Sequence, residues 1–426
     1  MRNTHLAKLP FWSIPMIYAG VTIVLGLILP RLEYRYLAHW GHGMPVPVAI
    51  AVFSSIASGM LALTGIVFSL AFVMVQFSSI AYSPRLVLWF SRDPVISHGM
   101  GIFTATFIYS LSALGWVDRD GSGRVPFFST WLVIILVIAS VLLLALLVQR
   151  LAALQVSGVI SFVGKAGREV VGEMYPLVLT AEADKQDLVI PRNSPTLNLP
   201  VTQAIIHSGQ PMAITECDVQ ALVRLARQAE GVIIMPFAIG DTVIEGNTIL
   251  AVHGGLLTLP EPALRYAVKL ERQRTFKQDP KYALRLLVDI AIKALSPAVN
   301  DPTTAVQALD EVEDLLLRLG VRQLDVGQVT DETGALRLVF PTPTWEDFLS
   351  LAFDETRFYG STSLQVMRRM RSALYDLERA VSPERQKAIR HYIDHLDFTV
   401  KHSISDTEDQ TTALQQDRQG LGLSRR

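Results

Sequence analysis

From Tyr36 to Pro84 the chain carries no Lys, Arg, Asp or Glu, and that run decides what kind of molecule this is. A helix rises about 1.5 Å per residue, so about 20 apolar residues cross a bilayer core. The run is long enough to cross and still project on one side, and it ends abruptly at Ser83, Pro84 and Arg85. Between residues 9 and 149 there are only ten charged side chains, and they fall at the edges of apolar segments. Spanning helices are predicted over about 11–30, 46–82, 98–117 and 127–150, the first ending at Leu29, Pro30 and Arg31. No small-x-small cleavage site follows the first segment, which therefore reads as a span and not as a signal peptide.

Four crossings put both termini on one side. Arg2, Lys8, Arg85, Arg92, Arg150, Lys165 and Arg168 outweigh Arg31, Arg35, Arg119 and Arg124, which favours the cytoplasm for the termini and a multi-pass place in a bacterial inner membrane. A net charge of −1 argues against a nucleic-acid partner, since neutralising phosphates needs a basic excess. Cys217 is the only cysteine, so no intrachain disulfide forms.

On a helical wheel of the long run, Ser54, Ser58, Ala62, Gly65, Ser69, Gln76, Ser79 and Ser83 share one arc, interrupted by Phe72. Small residues let membrane helices approach closely, so one reading is packing, within the four-helix unit or between subunits. The other is a water-lined path with Arg85 and Arg92 at a positive mouth. Within the predicted limits no Asp or Glu lies inside a span, which argues against a proton-coupled pump, for which buried carboxylates are usual.

Beyond Arg150 the charge density is that of a soluble protein. The expected fold class is thus membrane α-helical with four transmembrane helices, plus a cytosolic α+β region with a small β module and C-terminal helices. The predicted division is a transmembrane domain over 1–155, a cytosolic α+β module over 156–260, a mainly helical domain over 261–403 and a disordered tail over 404–426. A helix continues from Leu151 to Met174, and 184–211 reads as irregular structure with short strands. Thr215 and Asp218 form a capping-box-like start to an amphipathic helix ending at Gly231. Short strands then alternate with turns at Gly240-Asp241 and Gly246-Asn247, a barrel-like or hammerhead-like pattern. Asp279-Pro280 and Asp301-Pro302 each place an acceptor before a proline at the first helical position, starting helices over about 280–295 and 302–319. Ser382-Pro383 reads as the same device.

Two stretches together resemble a known group: FSLAFVMVQFSSIAYSPRL at the end of the second span, and R-x-R-T-F-K-Q-D-P followed by LVDIAIKALSPAVNDPTTAVQALD between Arg272 and Asp310. They resemble the DUF2254 family of predicted bacterial membrane proteins (domain of unknown function twenty-two fifty-four), over about residues 10–400. The resemblance implies four spans and a large cytosolic region, and carries no catalytic residues with it.

The candidate aqueous motif comprises Arg272, Arg274, Asp279, Ser296, Asn300, Asp301 and Thr303. Asn300 and Asp301 either cap the next helix or position a ligand, with the N–H groups of Thr303 and Thr304 as an anion site. His391 and His395 stand four apart with Asp394 between, and His402 lies on nearly the same helical face, a zinc-like spacing for which a surface or packing role is the favoured reading. No catalytic constellation is complete, so the expectation is a non-enzyme without metal or cofactor, with membrane lipid and further copies of the chain as partners. Two roles fit: an oligomeric channel or transport pathway lined by the second span, and a membrane-anchored sensor or scaffold.

Overall fold

The computed structural model describes residues 13–36, 44–81, 94–152, 156–178 and 199–422. The chain divides into two compact units, Met1–Gln155 and Val156–Arg426.

The first unit contains four helices long and apolar enough to cross a membrane. They are α1 (Ser13–Tyr36), α2 (Val46–Ala81), α3 (Pro94–Leu114) and α4 (Phe127–Ala152). The first helix does not stop at Pro30 but runs through it to Tyr36. Residues beyond the proline are held: Tyr34 Oη donates to the Arg119 carbonyl at 2.9 Å, and Glu33 is buried against the start of α4. Proline is tolerated inside spanning helices where neighbours fix the flanking turns. The third helix begins at Pro94 and ends at Leu114, earlier at both ends than 98–117.

Helix α3, and not the long α2, is the packing centre of this unit. It touches α1, α2 and α4, and 56% of its span is buried against 17% for that of α2. Gly101 of α3 receives the Tyr18 ring of α1, and Gly26 of α1 receives Ser112 of α3. A Cβ at either position would overlap its neighbour, so these glycines set the close α1–α3 approach. Phe53 of α2 joins Tyr109 and Ala113 of α3 and Val133 of α4 in one cluster; Val67 joins Met100, Phe103 and Leu147 in another.

The second unit is α+β. After α5 (Val156–Met174) come β1 (Val201–Ile206), β2 (Met212–Cys217), α6 (Val219–Gln228), β3 (Val232–Ile234), β4 (Thr242–Val243) and β5 (Thr248–His253). Next are α7 (Glu261–Ala267), β6 (Val268–Glu271), α8 (Pro280–Ala294), α9 (Pro302–Gly320), β7 (Gln328–Thr330) and β8 (Leu336–Val339). The chain continues through α10 (Trp345–Tyr359), α11 (Leu364–Ala380), α12 (Pro383–Ser403) and α13 (Thr407–Ala413). One sheet has the order β1-β5-β3-β8-β7 and the other β4-β2-β6. Because β8 pairs in parallel with β3, strands from both sides of residue 260 share a sheet. The predicted boundary there is therefore not a domain boundary, and residues 156–426 form one unit.

The sheets, α6 and α7 enclose one core containing Ile214, Leu222, Ile233, Leu250 and Leu338. Helices α5, α8 and α9 pack together, with Gly167 of α5 seated on Leu315 and Ala283. Arg168 of α5 pairs with Glu311 and Asp314 of α9.

Three local expectations change. Thr215 lies in β2 and bonds the Lys269 carbonyl, so α6 is capped by Asp218 alone, which accepts from Ala221 N–H at 2.9 Å. Ser382 makes no side-chain cap. The segment after residue 404 is not a disordered tail: it forms α13 and packs Ala413 fully inside. Residues 179–198, which cover most of the predicted irregular stretch, and Ser83, Pro84, Arg85 and Arg92 lie outside the described residues.

Candidate functional site

On α2 the predicted stripe is turned outward. Ser54, Ser58, Ala62, Gly65 and Ser69 are all exposed, while Ala49, Phe53, Ala57 and Val67 on the far side of the wheel are buried. A Cβ added at Gly59 or Gly65 would meet nothing within 4 Å. Among the described residues, no part of the four-helix unit packs over these five positions. The Ser54 and Ser58 hydroxyls make no hydrogen bond among the described residues, and a polar group facing hydrocarbon unpaired is costly. The side chains of Gln76 and Ser79 lie outside the described residues.

The membrane unit also holds a carboxylate that the predicted span limits left out. Glu33, 6% exposed, accepts from Phe128 N–H at 2.7 Å, Ser129 N–H at 3.2 Å and the Ser129 hydroxyl at 3.1 Å. The two N–H groups are orphan donors of the first turn of α4, so α1 supplies the N-terminal cap of a different helix. Tyr109 of α3 donates to the same Ser129 hydroxyl at 3.1 Å. Three helices are thus tied at one point. Lower down, Thr106 of α3 and Ser140 of α4 share a bond of 3.0 Å, and Tyr18 of α1 meets His98 of α3 at 3.2 Å.

In the second unit the two turn-rich motifs come together. Arg274 clamps Asp279, which is 2% exposed, while Asp279 also caps α8 by accepting from Tyr282 N–H at 3.2 Å. Gly240, at φ +91°, lies directly against this pair, and a Cβ there would overlap Asp279 Oδ2. Only glycine fits both the backbone angle and the space. Burial raises the Asp279 pKa above the ordinary carboxylate value, with Arg274 and Lys281 opposing the shift. Three more residues of R-x-R-T-F-K-Q-D-P are committed as well: Lys277 pairs with Glu216, Gln278 accepts from Cys217 N–H at 2.8 Å, and the Phe276 ring packs on Phe162 and Tyr282. Arg272 is exposed and forms no ion pair among the described residues.

Beside Asp279 lies a narrow cleft of about 20 Å³, bordered by Tyr175, Ile239, Lys281, Phe340 and Pro343. Tyr175 is 2% exposed, its hydroxyl makes no hydrogen bond among the described residues, and burial raises its pKa. Nothing in the sequence around Tyr175 marked it. Glu33 carries a signal in the sequence, as a carboxylate between Leu32 and Tyr34, but it lies beyond Pro30, the predicted end of the first span.

The α8–α9 loop is built around its caps. Asp301 accepts from Thr304 N–H at 3.1 Å and from the Thr304 hydroxyl at 2.6 Å, so the Thr304 N–H is already used. Asn300 holds φ +47° and donates its N–H to the Ser296 carbonyl, and the Ser296 hydroxyl bonds the Lys293 carbonyl. Thr303 is exposed. Among the described residues no hydrogen bond joins this loop to Arg274. His391 and His395 have ring centroids 6.1 Å apart, but His402 stacks on Phe398, and among the described residues no group of three ligand-type side chains gathers for a metal.

These features define a multi-span membrane protein with a folded α+β unit after its last span. The family model described as "Predicted membrane protein (DUF2254)" matches residues 8–376, and the chain belongs to that family. It is 27% identical over 405 residues to an uncharacterized protein of Mycobacterium bovis, covering 92% of this chain and 74% of that protein. An uncharacterized protein of Mycobacterium tuberculosis gives the same figures. No solved structure matches the chain.

Proposed function

We propose that the protein acts as a homo-oligomer in the bacterial inner membrane, with both termini cytoplasmic, in which the second helices of neighbouring copies line a polar pathway. The observation behind this is the outward stripe of Ser54, Ser58, Ala62, Gly65 and Ser69, which none of the described residues of its own unit covers. Around a symmetry axis that face offers hydroxyls to water or to an adjoining helix instead of to lipid. The positive-inside charge balance supports the orientation. No catalytic step is assigned.

Native mass spectrometry from nanodiscs tests the assembly, and a monomer removes the pathway. Single cysteines at Ser58, Gly65 and Ser69 then separate its two forms. Reaction with a membrane-impermeant thiol reagent at all three, with Val67→Cys protected, supports a lumen; protection of all three leaves a dry interface. The native Cys217 does not interfere, because burial pushes its thiol pKa up to about 12.

The second reading, a membrane-anchored sensor, draws on the cleft beside Asp279 and on Tyr175 in its lining. Small-molecule thermal-shift screening compared between wild type and Tyr175→Phe tests it. A hit whose stabilisation survives in the Phe variant does not use this cleft.

A further inference from the structure

The last described part of the chain folds back on α11. Asp406 caps α13 by accepting from the Glu408 and Asp409 N–H groups, and Gln410 donates to the Ile404 carbonyl at 2.7 Å. Residues 414–422 then follow α11. Arg368, only 7% exposed, donates Nε to the Thr412 carbonyl at 2.9 Å and Nη1 to the Gly420 carbonyl at 3.3 Å. Arg418 donates to Asp376 at 2.9 Å. Gly420 and Gly422 stand at φ +68° and +75°; a side chain at the first would overlap the Gln365 main-chain carbonyl, and at the second the Arg368 guanidinium.

What α11 reads in this segment is therefore peptide chemistry: two main-chain carbonyls, a cation, and glycines where nothing larger fits. Arg418 also walls an open groove between α9 and α11 whose other charged groups are Asp310, Glu313, Arg369, Asp376 and Arg379. Without Arg418 that groove has three carboxylates against two guanidiniums. Arg369 sits at its base, 4% exposed, bonded to Asp310 and Glu313 and with Nη1 buried and lacking an acceptor. The family match ends at residue 376, so most of α11 lies inside it and the returning segment lies beyond it.

We propose that this face of α9 and α11 is a docking site for a glycine-bearing peptide segment that presents an arginine, and that residues 406–422, in which Arg418 is the one cation among four carboxylates, occupy it in cis as a detachable strap. The strap is lightly held. Its ion pair is exposed, with the Arg418 side chain 65% accessible, and exposed pairs contribute little. Ala413 is the only strap residue in the buried apolar core. Segments with so few buried contacts open well below the global unfolding free energy.

The test uses the full chain in nanodiscs and a fluorescent synthetic peptide of residues 406–422. A strap closed in about 99 of 100 molecules weakens apparent binding in trans about 100-fold, so wild type should bind the peptide poorly. Gly420→Val should expel the strap and bind the peptide at least about 10-fold tighter, and Asp376→Lys in that background should remove the gain. Hydrogen exchange should rise over 406–422 in Gly420→Val while α12 stays protected. Equal peptide binding by wild type and Gly420→Val, or none by the latter, overturns the proposal. Loss of protection throughout α11 and α12 in Gly420→Val also overturns it, since the segment would then be an integral part of the fold.

Discussion

Arg274 grips Asp279 through two parallel bonds, Nε to Oδ2 at 2.7 Å and Nη2 to Oδ1 at 2.9 Å, and Gly240 closes over the pair from the other motif. Removing one partner of a buried pair leaves the other charge without compensation, which costs about 3–5 kcal/mol. Arg274→Ala should lose stability on that scale in chemical denaturation. Arg274→Lys should not restore it, because an ammonium cannot reproduce the two-pronged contact. Wild-type stability in the Lys variant would show that charge alone suffices.

Asp301 makes a separate prediction. As the N-cap of α9, its replacement by Ala should cost about 0.5–2 kcal/mol, while Ser or Asn should recover most of that. If all three variants stay folded with unchanged melting yet lose the same cellular phenotype, Asp301 contacts a ligand and is more than a cap.

For Glu33 the expected readout is the stability of the membrane unit in detergent. Glu33→Ala strands three donors at the start of α4, each unsatisfied buried donor costing about 1–3 kcal/mol before relaxation. Glu33→Gln keeps one amide oxygen as acceptor and should fall between wild type and Ala. A melting temperature in Glu33→Ala equal to that of wild type would show that water replaces the carboxylate.

Acid sensitivity should track Asp314. Burial alone would raise its pKa, but hydrogen bonds and charge from Arg318 and Arg168 outweigh burial and hold it below the ordinary carboxylate range. A depressed folded value contributes stability that is complete above the unfolded pKa of about 3.9 and is lost as pH falls through the lower folded value. Unfolding midpoints followed down through that window should fall less steeply in Asp314→Asn than in wild type. Parallel curves would mean the shift is not expressed in solution.

The four spans were legible because hydrocarbon demands long apolar runs, and the Asp-Pro helix starts because a cap and a proline act locally. The packing hub was not. Of the four spans, α3 has the lowest hydropathy and is the most buried, and it carries Gly101, Ala105, Thr106, Ser110 and Ala113. Lipid-facing positions must be apolar, whereas interhelical ones tolerate small and polar side chains, so the weakest hydrophobic signal belonged to the innermost helix. The pairing of β3 with β8 was hidden for another reason. Short strands announce their turns but not their distant neighbours, and nothing local in Val232–Ile234 specifies Leu336–Val339.

That pairing has a consequence during synthesis. β3 ends at Ile234, and the strand that completes its side of the sheet begins at Leu336. At roughly 5–20 residues per second, the intervening chain takes about 5–20 s to emerge from the ribosome. Throughout that interval β3 presents an open edge of unpaired N–H and C=O groups, the kind of surface that recruits foreign strands. The nascent protein is therefore most exposed to misassembly after its membrane helices have been made and before residue 340 has appeared, and ribosome-stalled chains ending in that window should depend most heavily on chaperones.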